Sequence, residues 1–165
     1  MAPTVLRPAT AWFLLATLAA TPAGAAGDGT PDALLSGIYD HYVGPGAPGL
    51  FLEDAAAIRR VFTPSTAELL IADRAEADSR GEMGRLDFDV FVGGQDWDLA
   101  AVPELRTEVQ DAAHAAVTTA PANGGAAPPV TLRFELAKTA GGWRIDDIRW
   151  SNAPESLRAI LQRAE

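Results

Sequence analysis

The chain has 165 residues, with 22 Asp and Glu against 13 Lys and Arg, a formal net charge of −9, and no cysteine. Such a surface repels phosphate backbones and anionic lipid, which argues against nucleic-acid and membrane-surface roles. Without cysteine there is no disulfide, no thiol nucleophile and no thiolate metal site, so the fold must rest on its apolar core.

The first residues read as an export signal. Arg7 gives a short positive region, residues 11–20 (AWFLLATLAA) an apolar one, Thr21-Pro22 a break, and Ala23-Gly24-Ala25 a small-x-small cleavage pattern. The apolar run is shorter than the roughly 20 residues a bilayer requires. Expected, then, are a signal peptide over 1–25, a flexible mature N-terminus over 26–31, and a single domain over 32–165. The expected location is the bacterial periplasm, with no membrane span after processing.

Residues 31–42 place Leu34, Leu35, Ile38 and Tyr42 at helical spacing, and VGPGAPG (43–49) forms a loop. A short second helix is expected over 53–62, with Ile58, Val61 and Phe62 inward. A third starts at Thr63-Pro64-Ser65, where Pro64 suits the first turn and Ser65 with Glu68 reads as a capping box. It runs past an inner stripe of Leu69, Leu70 and Ala72 to about Arg80, with Glu76 and Arg80 paired, and Gly81 stops it.

The period then changes. Leu86, Phe88, Val90 and Val92 alternate with Asp87, Asp89 and Phe91, which predicts a strand ended by Gly93-Gly94. A further strand is expected around Ala115–Thr119, and residues 120–129 form a hairpin connection. Val130, Leu132, Phe134 and Leu136 predict another strand, and Gly141-Gly142 turns into a last one, Trp143 to Trp150. In that last strand Trp143 and Ile145 have the opposite parity to Ile148 and Trp150, which a bulge at Asp146-Asp147 would reconcile. Asn152 is the expected cap of a short final helix carrying Leu157, Ile160 and Leu161. Helices followed by an antiparallel meander indicate an α+β domain: three N-terminal helices packed on a curved sheet, with a short C-terminal helix.

That order of elements resembles the nuclear-transport-factor-2-like, cystatin-like superfamily, and FELAKTAGGWRIDDIRW (134–150) is similar to the last two strands of many members. More narrowly, ADRAEADSRGEMGRLDFDVFVGGQDWD (72–98) resembles a family of secreted bacterial proteins of unknown function. In that family a D-F-D segment precedes a Q-D-W turn. The resemblance covers roughly residues 32–150 and implies a cone-shaped fold; it brings no catalytic residues to carry over.

Asp87, Asp89, Asp96 and Asp98 suggest calcium by their number, but their spacing is not that of an EF-hand loop. Strand parity puts Asp87 and Asp89 on a solvated face, while Asp96 and Asp98 suit turn amides. Trp97 is expected to pack on Leu69, Leu70 and Phe62, with Asp96 held by those amides or by Arg74. Catalysis would need a carboxylate or tyrosine of shifted acidity, with Tyr39, Asp40, His41 and Tyr42 as candidates. No nucleophile elbow, phosphate loop or dinucleotide motif is present.

The leading expectation is a non-catalytic binding module for a small apolar ligand or an envelope protein. Its ligand-binding candidates are Tyr39, Arg74, Trp143 and Trp150, with Asp96 and Trp97 structural, and no metal or cofactor. A small isomerase or dehydratase, and an inhibitor or immunity-type protein, are the alternatives.

Overall fold

The computed structural model describes residues 29–52, 54–121 and 129–163. The expected export signal and most of the expected 120–129 connection lie outside the described residues.

Helix α1, Pro31–Tyr39, starts where Thr30 accepts the Ala33 amide at 3.2 Å and Pro31 occupies the first turn. It ends three residues sooner than expected. Tighter bonds take over, from the His41 amide to the Ile38 carbonyl and from the Tyr42 amide to the Tyr39 carbonyl. They still leave Tyr39 and Tyr42 fully buried. Helix α2, Ala55–Val61, is capped by Asp54, whose carboxylate accepts the Ala57 amide at 2.7 Å.

Helix α3, Pro64–Arg80, closes on Gly81 in the left-handed conformation, φ 67°. Its capping box does not form. The cap residue is Thr63, whose hydroxyl is spent on Asp146 instead, while Glu68 pairs with Arg59 at 2.8 Å. The inner face also differs from expectation: Thr66, Ala67 and Asp73 are buried, Leu69 and Leu70 half-buried, and Ala72 exposed.

Strands β1 (Arg106–Val109), β2 (His114–Thr119), β3 (Leu132–Thr139) and β4 (Gly142–Trp150) form one antiparallel sheet in the order β1-β2-β3-β4. β1 was not foreseen, since its largely exposed RTEV has no apolar alternation. On the inner face Val117, Phe134 and Ile148 lie in register, and Leu132 opposes Trp150. Burying each such side chain stabilises the fold by about 1.5–3 kcal/mol.

The bulge occurs as the parity required. Glu135 pairs with Asp147 and Leu136 with Ile145, so Asp146 is the extra residue and both Ile145 and Ile148 reach the core. The bulge is tied to the α2–α3 junction. The Thr63 amide donates to the Ile145 carbonyl at 2.8 Å, the Thr63 hydroxyl to Asp146 Oδ1 at 2.7 Å, and the Thr66 hydroxyl to the Asp146 carbonyl. Helix α4, Leu157–Leu161, is capped by Ser156 rather than Asn152, and Asn152 donates to the Gly93 carbonyl instead. The fold is therefore α+β, with three helices ahead of the sheet and a short one after it.

Candidate functional site

The strand expected over 86–92 does not form. Residues 88–94 make a turn in which the Asp89 amide donates to the Gly94 carbonyl and the Gly93 amide to the Asp89 carbonyl, both at 2.9 Å. Val90, Phe91 and Val92 are buried in succession, which no alternating strand face would do. Buried irregular backbone must find hydrogen-bond partners, and here side chains supply them. The Tyr39 hydroxyl donates to the Phe91 carbonyl at 2.8 Å, the Trp150 indole to the Val90 carbonyl at 2.9 Å, and the Tyr42 hydroxyl to Asp89 Oδ2 at 2.7 Å. Asp89 Oδ1 accepts the Phe91 amide at 2.8 Å.

Asp89 is therefore turned into the fold rather than toward water. Burial pushes its carboxyl above the ordinary aspartate range, and the bonds from Tyr42 and from the Phe91 and Val92 amides pull only part of the way back. Burial, and then the Asp89 charge, hold both tyrosines well above the ordinary phenol range. Asp87, Asp96 and Asp98 are exposed. Among the described residues no group of three or more acidic or histidine side chains is placed to hold a metal.

Trp97 also departs from expectation. Its ring packs on Tyr42 at 5.2 Å, and its indole donates to the Ala47 carbonyl at 2.9 Å, so it closes over the 43–49 loop rather than α3. Gly49, at φ +77°, makes room: a Cβ there would lie 2.8 Å from the Trp97 ring. The Asp96 side chain makes no hydrogen bond among the described residues; Asp89 does the work assigned to it.

A first cleft of about 400 Å³ opens between α3, residues 50–52 and residues 84–91. Half-buried Leu50, Leu52, Leu70, Leu86 and Phe88 give it apolar walls. Arg74 stands at this cleft, exposed, and donates to the Leu52 carbonyl at 2.6 Å. One wall is held by a clasp missed in the sequence. Buried Asp73 accepts the Arg85 amide and, at 2.8 Å, its guanidinium, which also reaches Glu76. Gly84 permits the approach, since a Cβ there would lie 2.6 Å from Asp73 Oδ2. Phe51 was also missed, although LFL directly after a Gly-Pro loop is an apolar run with no helix or strand period to absorb it.

A second cleft, about 430 Å³, lies where the start of α1 and Arg60 of α2 meet the β3–β4 hairpin, and it contains Trp143. The four ligand-binding candidates are thus not brought together. Arg74 lines the first cleft and Trp143 the second; Tyr39 and Trp150 line neither and serve the core.

The chain matches no model of a known protein family and no curated protein. It is similar to a chain in the crystal structure of the type VI native effector-immunity complex Tae3-Tai3 from Ralstonia pickettii. The TM-score is 0.56 at 20% identity over 76% of this chain and 98% of that one, a likeness of fold.

Proposed function

We propose that the protein is a non-catalytic binding protein of the cell envelope. Its first cleft takes a segment of a partner protein bearing apolar and basic side chains. One observation carries this reading. Phe51 is 64% exposed, yet it lines this cleft beside the half-buried Leu50, Leu52, Leu70, Leu86 and Phe88. A large apolar side chain held in water at a concave apolar surface marks an interaction site. The carboxylates of Asp78 and Glu82 on the same cleft favour a basic partner.

The similar fold found in an effector-immunity complex supports a protein as the partner and an inhibitor or immunity-type role as the form of the interaction. Export through the 1–25 signal to the periplasm belongs to the same proposal and rests on the sequence pattern. Native mass spectrometry of the protein isolated from its own envelope tests it, with wild type beside Phe51→Asp. A polypeptide retained by wild type and lost from the equally stable variant is the expected outcome. Retention undiminished by Phe51→Asp would remove the cleft from the interaction, and a small molecule in its place would favour the ligand-binding form.

A second reading, a small isomerase or dehydratase, has one specific observation behind it. Asp89, whose carboxyl burial holds above the ordinary aspartate range, lines the same cleft. Both of its oxygens already accept bonds from the fold, which ranks this reading second. A small molecule retained by wild type and released by Asp89→Asn at unchanged stability would favour it.

A further inference from the structure

The second cleft differs from the rest of the molecule in charge. Its lining residues are Gly29, Thr30, Ala33 and Leu34, Arg60, and Gly141 to Arg144, with no carboxylate among them. That is unusual in a chain with 22 acidic residues against 13 basic ones. Most other arginines among the described residues are paired, as Arg59 with Glu68, Arg80 with Glu76, Arg85 with Asp73, Arg133 with Glu135, and Arg158 with Asp146, while Arg149 stands alone on β4 away from either cleft. Arg60 and Arg144 form no ion pair among the described residues; Arg144 donates only to the Trp143 carbonyl beside it, at 2.7 Å. Two unneutralised guanidiniums therefore border one concavity whose large apolar side chains are the half-buried Trp143 and Leu34.

We infer that this cleft is a binding site for a small aromatic carboxylic acid. A guanidinium presents paired N–H donors that match a carboxylate, and such charge-assisted bonds are the strong ones. The Trp143 ring offers a flat apolar face for the remainder of the ligand. A volume of about 430 Å³ lies within the range that small-molecule sites occupy. The site shares no lining residue with the Phe51 cleft, so it stands or falls separately from the protein partner proposed above.

The test is an NMR titration of the whole protein with N-acetylphenylalanine, alongside N-acetylphenylalaninamide, which keeps the ring and lacks the charge. The acid should bind saturably, with its largest shifts at the Trp143 indole and at Gly141 and Gly142. The amide should bind at least ~10-fold more weakly, as should the acid to Arg60→Gln/Arg144→Gln. Both substitutions replace a solvent-accessible side chain, and circular dichroism checks that the variant is folded. Trp143→Leu provides a second variant that keeps both charges and removes the aromatic face; it too should weaken binding. Equal binding of acid and amide, undiminished binding to the double variant, shifts centred on Phe51, or no saturation would each overturn the inference.

Discussion

The Tyr42 hydroxyl meets Asp89 Oδ2 at 2.7 Å across 47 positions of sequence, and this contact closes a set of three aromatic donors on residues 89–91. Tyr39 and Trp150 hold the neighbouring carbonyls, so α1 and β4 both grip a turn with no ladder of its own. Removing a buried partner strands the other group, at about 1–3 kcal/mol. Asp89→Ala, which strands both the Tyr42 hydroxyl and the Phe91 amide, should reach the upper part of that range. Trp150→Phe should fall lower, because the Phe ring keeps most of the packing. Urea denaturation decides; midpoints equal to wild type for both variants would show that the turn does not depend on these donors.

Asp89 also gives stability a pH dependence of definite sign. Its folded pKa is raised by burial, so the folded state holds this proton more tightly than the unfolded chain. The contribution is fully present below the unfolded value of 3.8 and is lost as pH rises through the folded one. Asp89→Asn cannot titrate there, and it should therefore gain stability relative to wild type as pH is raised from about 3 to about 7. Denaturant melts of both proteins across that range measure the difference. A gap independent of pH, or one that moves in the other direction, contradicts the buried-carboxyl account.

Trp97 and Gly49 should show coupled energetics. A fully buried aromatic costs about 3–5 kcal/mol on truncation to alanine; Trp97 is half-buried, so Trp97→Ala should cost about 2–3 kcal/mol. Gly49→Ala should cost more than the about 1–2 kcal/mol of a left-handed backbone alone, because its Cβ would also meet the indole. In the Trp97→Ala background most of that excess should disappear, the Tyr42 ring at 3.1 Å accounting for what is left. Strict additivity in the double-mutant cycle would mean that the two do not touch in solution.

The bulge at Asp146 supports a sharper expectation. Deleting Asp146 would leave Ile145 and Ile148 two positions apart and still on the core face, but it would remove the acceptors of both Thr63 and Thr66, so the melting temperature should fall while unfolding stays cooperative. Asp146→Ala keeps the register. It should cost only about 1–2 kcal/mol for the lost Thr63 bond and the Arg158 contact. A deletion variant no less stable than Asp146→Ala would mean that the Asp146 carbonyl bond from Thr66 contributes nothing.

Read along the chain, local periodicity by itself determined α1, α2, α3, β3 and β4, and even the bulge, because Ile145 and Ile148 can share a face only if one residue is extra. Those features depend on spacings of a few residues, which a sequence displays directly. Residues 86–92 show the same alternation, yet only the tertiary structure made them a turn. Whether such a segment pairs as a strand depends on partners, and its donors come from Tyr39, Tyr42 and Trp150, between 47 and 60 positions away. The same holds for the clefts. Phe51, Arg60, Asp73 and Arg144 are ordinary residues in their local stretches. Their surroundings exist only after α1, α2 and α3 pack on the bent sheet, since burial and the pairing or isolation of charge are set by neighbours distant in sequence.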